Sequence, residues 1–332
     1  MDKWFDLPDE RKKQVFDQVA AREGLPSVAI EKDWWVTLTL KSVFDLPFAD
    51  HLVFKGGTSL SKGWNLIERF SEDVDLAIDR RQFGFEGELG SSQITRLRKT
   101  IRSFVKEKLA PDLYEKLNTY TEVDVNVQPH EHSDADPSQI EIIYPAVTEE
   151  LDYLPTRVLV EVSARSLFEP KEEQELYPLI GPELPKLDIE NEGVAIPCVL
   201  PKRTFLEKVF LLHEEFQKNP GELRAERLSR HLYDIEKMMD SEHAKQALDD
   251  ESLYRDIINH RRNLIGMRGI NYDSHWPGSV NLIPPEATRK EWERDYREMR
   301  ESMIYGDALP FDALLGRMKE LTERINELKF NP

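Results

Sequence analysis

The stretch that most restricts what this chain can become is a pair of glycines followed, after a spacer, by an Asp-x-Asp. A short apolar run, Leu52-Val53-Phe54, leads through Lys55 into Gly56-Gly57-Thr58-Ser59. Residues 58–72 then separate Gly57 from Asp73-Val74-Asp75, which opens a second apolar run, Leu76-Ala77-Ile78. Strand residues two apart face the same side, so a strand over 73–79 sets Asp73 and Asp75 side by side. Adjacent carboxylates repel unless a positive charge lies between them, and hard oxygen donors favour Mg²⁺ or Mn²⁺ in that place. A Gly-Gly turn lets backbone come close to a ligand, and N–H groups at a helix start can hold phosphate oxygens. Asp73 and Asp75 are therefore candidate metal ligands and catalytic residues, and Gly56, Gly57, Thr58 and Ser59 candidate nucleotide-binding positions. Either element alone is more often a solvated turn or strand end. Their ordered combination points to nucleotidyl or phosphoryl transfer.

The flanking residues extend this pattern. Lys55 and Lys62 bracket the turn and could meet phosphate, although lysines beside a turn are usually just solvated. Arg69 precedes the Asp-x-Asp strand. Ser71 lies two residues before Asp73, where its hydroxyl could bind a phosphate or a metal, or simply cap the strand.

Composition narrows the setting. The 332 residues are enough for two domains, and 39% hydrophobic with 33% charged residues describes a globular chain with ample core. No apolar run approaches the ~18–20 residues of a membrane span. The opening Met1-Asp2-Lys3-Trp4-Phe5-Asp6 lacks the basic start and apolar core of a signal peptide. A single cysteine, Cys198, cannot form an internal disulfide, so the expectation is a cytoplasmic protein with Cys198 as a small core residue. Lys and Arg number 45 against 63 Asp and Glu, a net charge of −18. The whole chain should be repelled by nucleic acid, and RNA binding would need a local basic patch.

Taken in order, the chain opens with two helices. Asp6 is the expected cap of a helix running to about Glu23, with Gly24 as its stop, and Ser27 the cap of a second helix over 28–44. The second contains Ile30-Glu31-Lys32-Asp33 beside Trp34-Trp35, which reads as a charged turn near core tryptophans or as a substrate contact. Thr58 to Trp64 reads as a short helix. A long helix over 92–117 carries Arg96, Arg98, Lys99, Arg102, Lys106 and Lys108, the densest basic run of the chain. Arg98, Arg102 and Lys106 recur every four residues on one face, a candidate RNA-phosphate surface or a solvated face.

Thr119–Pro129, Gln139–Tyr144 and Arg157–Ala164 alternate like strands. The polar loop between the first two holds His130, His132, Asp134 and Asp136, which imitate a metal site and are discounted as such. Within the third, Val160-Glu161-Val162 places a carboxylate among valines, and a charge there needs a partner, for which a salt bridge to Arg157 or Arg165 is one reading. The proline-rich 166–200 reads as loop and lobe boundary. Helices are expected over 202–218, 224–240, 243–262, 286–302 and 310–329. The first buries Lys208 in an apolar run, Phe205-Leu206-Glu207-Lys208-Val209-Phe210. The second carries Arg230-His231-Leu232-Tyr233-Asp234. His213 and His231 read as surface or partly buried side chains rather than ligands.

Phe54-Lys55-Gly56-Gly57-Thr58-Ser59-Leu60, with Arg69-Phe70-Ser71-Glu72-Asp73-Val74-Asp75-Leu76, resembles the polymerase-β-type nucleotidyltransferase superfamily. It is similar in particular to the AbiEii/AbiGii toxin family of bacterial toxin–antitoxin and phage-defence systems, to which the MenT toxins are related. The likeness runs over most of the chain but is specific only near 30–33, 54–76, 203–212 and 230–235. It implies Glu161 as a third metal carboxylate, Lys208 as the lysine that binds a triphosphate, and Asp234 as the downstream catalytic aspartate. A Lys208–Asp234 salt bridge between packed helices is the other reading.

The expectation is thus an α+β protein: a nucleotidyltransferase domain over 1–195, a mixed sheet with flanking helices, and an all-helical domain over 196–332 that closes the nucleotide cleft. The resemblance implies transfer of NMP from an NTP with two Mg²⁺ ions, a tRNA 3′ end as acceptor, and a cognate antitoxin partner. A protein acceptor (Ser, Thr or Tyr), or a non-catalytic nucleotide-binding module, are the alternatives.

Overall fold

Val28 to Leu40 is the most deeply covered stretch of the chain, buried at every position. It forms the middle of a helix that must be enclosed on all sides, and the N-terminal architecture is built around it. In this computed structural model, residues 2–71, 73–127, 136–149, 154–165, 168–219 and 221–330 are described.

Helices α1 (Asp2–Phe5), α2 (Asp9–Glu23) and α3 (Ser27–Phe44) open the chain. The expected cap at Asp6 is not used, since α2 starts directly after Pro8. Proline suits a helix start because the N–H it lacks has no partner there anyway. Ser27 likewise does not cap α3: its hydroxyl donates to Asp17 of α2, tying the two helices together.

Among the described residues seven strands follow: β1 (Leu52–Lys55), β2 (Asp73–Ile78), β3 (Asp124–Val127), β4 (Ser138–Ile143), β5 (Arg157–Ser163), β6 (Lys171–Leu176) and β7 (Val194–Val199). They form one mixed sheet in the order β3-β4-β5-β2-β1-β7-β6. The pairs β5–β2 and β1–β7 are parallel and the others antiparallel. On one face, Val74, Leu76, Val158, Val160, Val162, Ile140 and Ile142 are all buried, and α3 packs against β2, β5 and β7. The other face carries Asp73, Asp75, Gln139, Glu141 and Glu161, each partly accessible.

Strands β6 and β7 overturn the expectation that 166–200 is loop. Lys-Glu-Glu-Gln-Glu-Leu of β6 has no alternation to find, because it is an edge strand whose charges keep it from pairing further. Pro197 within β7 reads as a breaker, yet it stands opposite Glu173 of the edge strand.

Between β2 and β3 the basic segment is helical throughout, as α5 (Ser91–Phe104), a widened turn at Val105–Leu109, and α6 (Ala110–Leu117). One helical turn, α4 (Gly56–Thr58), follows β1 and continues through Ser59–Gly63.

By contact, residues 1–64 with 70–199 form one compact unit, and 65–69 with 200–332 form a second. The second is helical: α7 (Pro201–Glu215), α8 (Ser229–Met238), α9 (Glu242–Asp249), α10 (Glu251–His260), α11 (Arg289–Ser302) and α12 (Phe311–Asn326). Its centre is α7, against which α8, α9 and α10 pack, while α11 and α12 pack on α8. The expected single helix over 243–262 is broken, because the Asp250 side chain accepts from the Leu253 amide and starts α10 afresh. The expected start of the preceding helix at 224 moves to Ser229, where Asp295 of α11 accepts from the amides of Arg227 and Ser229. Among the described residues, no helix is long and apolar enough to cross a membrane.

Candidate active site

Strand β1 ends where the backbone turns through Gly56 at φ +80°. A β-carbon at Gly56 would stand 1.9 Å from Asp75 Oδ2, so the turn is pressed directly onto the Asp-x-Asp strand. The same junction is fastened by Thr58, whose Oγ1 donates to the Asp73 carbonyl at 2.5 Å and lies 2.9 Å from Ser71 Oγ. Gly56, Gly57, Thr58, Ser71, Asp73 and Asp75 are therefore brought together, from one turn and the start of β2. Ser59 is placed differently. It is 2% exposed, beside the thiol of Cys198, which burial pushes up to about 12. Cys198 is the small core residue expected.

Sheet register adds what the turn lacks. Lys55, Asp75, Glu161 and Gln139 occupy one row across β1, β2, β5 and β4. Gln139 Nε2 donates to Glu161 Oε1 at 2.7 Å. Burial raises the Glu161 carboxyl above its ordinary value, the charge of Asp75 adds to that, and the Gln139 hydrogen bond opposes it. The two arginines considered as its salt-bridge partners are engaged elsewhere: Arg157 pairs with Glu141, and Arg165 with Asp136. Asp136 thereby leaves the imitated metal loop, whose His130, His132 and Asp134 lie outside the described residues.

Among the described residues, no three His, Cys, Asp or Glu side chains already form a cation cage. The donor chemistry nevertheless suits a hard divalent ion. Asp73, Asp75 and Glu161 are carboxylates on adjacent parallel strands, and a cation shared among them would relieve the repulsion that adds to the effect of burial on Glu161.

The Ile30-Glu31-Lys32-Asp33 stretch is a set of fasteners. On a buried helix each charge must find a partner, and each finds a different loop. Glu31 accepts from the amides of Val147 and Thr148 at 2.8 and 3.0 Å. Lys32 Nζ donates to the Pro155 carbonyl at 2.9 Å. Asp33 Oδ1 pairs with Lys62 at 2.6 Å, and Asp33 Oδ2 accepts from the Leu179 amide at 2.7 Å. Lys62 is thus held by a carboxylate, whereas Lys55 stays in the carboxylate row.

The remaining candidates lie in the helical unit. Asp234 of α8 is fully buried; Arg69 Nε and Nη2 donate to its two oxygens at 2.6 and 2.8 Å, and Lys208 Nζ stands 2.9 Å from Oδ2. Burial alone would raise the Asp234 carboxyl, but Arg69 and Lys208 bring it well below the usual carboxylate range. Burial pulls Lys208 down, and Arg69 adds to this against Asp234. His231 Nδ1 lies 3.4 Å from Lys208 Nζ, and burial followed by Lys208 holds its imidazole neutral. The Lys208–Asp234 ion pair is present, and with Arg69 it leaves no oxygen of Asp234 at the surface. Arg69 and Gln139 had no sequence signal beyond their neighbours, because their partners stand 165 and 22 residues away.

The basic helix presents a mixed surface. Arg98 and Arg102 are half-buried and Lys106 is exposed. Arg96 lies over the Phe85 ring at 5.0 Å, and Lys108 pairs with Asp112 at 2.9 Å.

Comparison with known proteins bears on this arrangement. A family model described as nucleotidyl transferase AbiEii toxin, type IV TA system, matches residues 39–317. Among solved structures, the chain is similar to MenT4, a nucleotidyltransferase toxin from Mycobacterium tuberculosis H37Rv, at 17% identity over 95% of this chain and 99% of that one, with a TM-score of 0.45. It is also similar to JHP933 from Helicobacter pylori, at 14% identity over 91% of this chain and 95% of that one, with a TM-score of 0.43. No curated protein matches.

Proposed function

The chain belongs to the AbiEii nucleotidyl transferase toxin family, and on that premise we propose that it transfers NMP from an NTP to the 3′ end of a tRNA in the cytoplasm. The acceptor hydroxyl oxygen bonds to the α-phosphorus as the bond to the β-phosphate oxygen breaks, and pyrophosphate leaves. Asp73 and Asp75, with Glu161, would hold two Mg²⁺ ions, which would lower the pKa of the acceptor hydroxyl and neutralise the triphosphate. Gly56 and Gly57 offer backbone N–H groups to the phosphates, with Thr58, Ser71 and Lys55 at their edge. Gln139 keeps one Glu161 oxygen turned along the sheet. Lys208 supplies positive charge for the triphosphate, and Asp234 orients it. A cognate antitoxin would restrain the activity.

The observation that carries this reading is the contact of Gly56 with Asp75, which joins a phosphate-type turn and a carboxylate pair into one piece. The test incubates the purified chain with Mg²⁺, each α-labelled NTP, and total bacterial RNA and protein. Label on tRNA-sized RNA that is lost in Asp73→Ala is the expected result; equal labelling by that variant would refute it. A protein acceptor is the second reading, favoured by the net charge of −18 and the half-burial of Arg98 and Arg102. Label on protein alone would select it.

A further inference from the structure

We propose that Asp33 is a positioning residue for the nucleotide turn, acting through Lys62. The inference rests on the nucleotidyltransferase reading above and adds a residue of α3 to its machinery.

Lys62 sits at the far end of the helical segment that begins at Gly56. Its ammonium group pairs with Asp33 Oδ1 at 2.6 Å and donates to the Tyr177 carbonyl at 2.9 Å. The two side chains are only 7% and 12% exposed. The second Asp33 oxygen is held by the Leu179 amide, so the carboxylate cannot swing away from Lys62. The near end of the segment is fixed separately, by Thr58 on the Asp73 carbonyl and by Gly56 against Asp75. Between the two ends Ser59 and Leu60 are buried, and just beyond the segment Trp64 Nε1 donates to the Val199 carbonyl at 3.1 Å. The clamp at Lys62 adds the charged hold at the far end, and with it the angle at which the Gly56–Ser59 amides point. The anchor itself cannot yield, because α3 is buried from Val28 through Leu40 and Glu31 and Lys32 fasten two further loops to it. Removing one partner of a buried ion pair is costly, whereas replacing both together is often close to neutral, so the pair can be deleted as a unit without losing the fold. Misplacing a binding group by about 1 Å can cost on the order of 100-fold in rate.

The test separates position from stability. Asp33→Asn and Lys62→Met each leave one buried charge unpaired and lower Tm. The double variant Asp33→Asn/Lys62→Met removes both charges and regains most of that loss. The expected result is that its NTP KM, and its NTP Kd by calorimetry, stay raised about tenfold or more, equivalent to about 1.4 kcal/mol, although Tm has recovered. Intact KM, kcat and Kd in the recovered double variant would overturn the proposal. Should the double variant not fold, Lys62→Arg decides. A KM near the intact value with the pair kept, against a raised KM in folded Lys62→Met, supports the clamp, and an intact KM in Lys62→Met overturns it. If the intact chain transfers nucleotide to no acceptor, the functional reading fails, while the Kd comparison still judges the clamp.

Discussion

Gly56 and Asp75 touch so closely that the smallest side chain at position 56 would overlap the Asp75 carboxylate, with 1.9 Å between its β-carbon and Oδ2. Alanine at this position meets two separate penalties. The backbone at φ +80° costs an L-residue about 1–2 kcal/mol, and the clash must move either the turn or Asp75. Gly84 provides the control, since it has φ +75° but nothing within 4 Å of an added β-carbon. Gly84→Ala should therefore lower Tm by the small backbone cost alone, and Gly56→Ala by more, since it adds the overlap with Asp75. Only Gly56→Ala should lose nucleotide transfer, by roughly 100-fold or more. Equal activity in the two variants would mean that the contact has no part in catalysis.

The contact also shows which features the sequence makes legible. Spacing alone pairs Asp73 with Asp75, and the alternation of Val158, Val160 and Val162 marks β5 as a strand with Glu161 on its other face. These are local periodicities, readable within a few residues. The register that sets Glu161 beside Asp75 and Lys55 depends on which strands pair across long stretches of chain, and no window of sequence contains it. Strands β6 and β7 escaped because an edge strand rich in glutamate and a strand containing Pro197 lack the apolar alternation that signals a sheet. Glu31, Lys32 and Asp33 read as a charged turn beside core tryptophans or as a substrate contact, because the sequence does not contain the loops that pair with them. Only the burial of α3 reveals them as anchors.

The Arg69–Asp234–Lys208 cluster predicts that its aspartate and its lysine fail differently. Removing the Asp234 charge leaves Arg69 and Lys208 buried against each other, and breaking a buried pair in this way costs about 3–5 kcal/mol. Asp234→Asn should lose stability of that order by denaturant titration. Lys208→Met leaves the two-pronged Arg69–Asp234 bond in place, so its Tm should change far less. If Lys208 serves the triphosphate, Lys208→Met should fold and still lose transfer. A folded, fully active Lys208→Met would assign the cluster to stability alone.

His213 predicts an acid limit to stability. Its Nδ1 accepts from the Asn281 amide at 3.0 Å and its Nε2 lies 2.9 Å from Ser274 Oγ, a set of bonds suited to the neutral ring. Burial, and then the neighbouring His275, bring it down from 6.5 to about 4. Between those values the unfolded chain binds the proton and the folded chain does not, so the unfolded state gains as pH falls. This share of stability is fully present above about 6.5. It is lost progressively as the pH drops through about 4, and amounts to about 3 kcal/mol at most. His213→Gln keeps an acceptor for Asn281 and a donor for Ser274 without a titrating group. Measured from pH 7 to 4.5, the Tm of the intact chain should fall more steeply than that of His213→Gln. Parallel curves would show that His213 takes up its proton as readily in the folded chain as in the unfolded one.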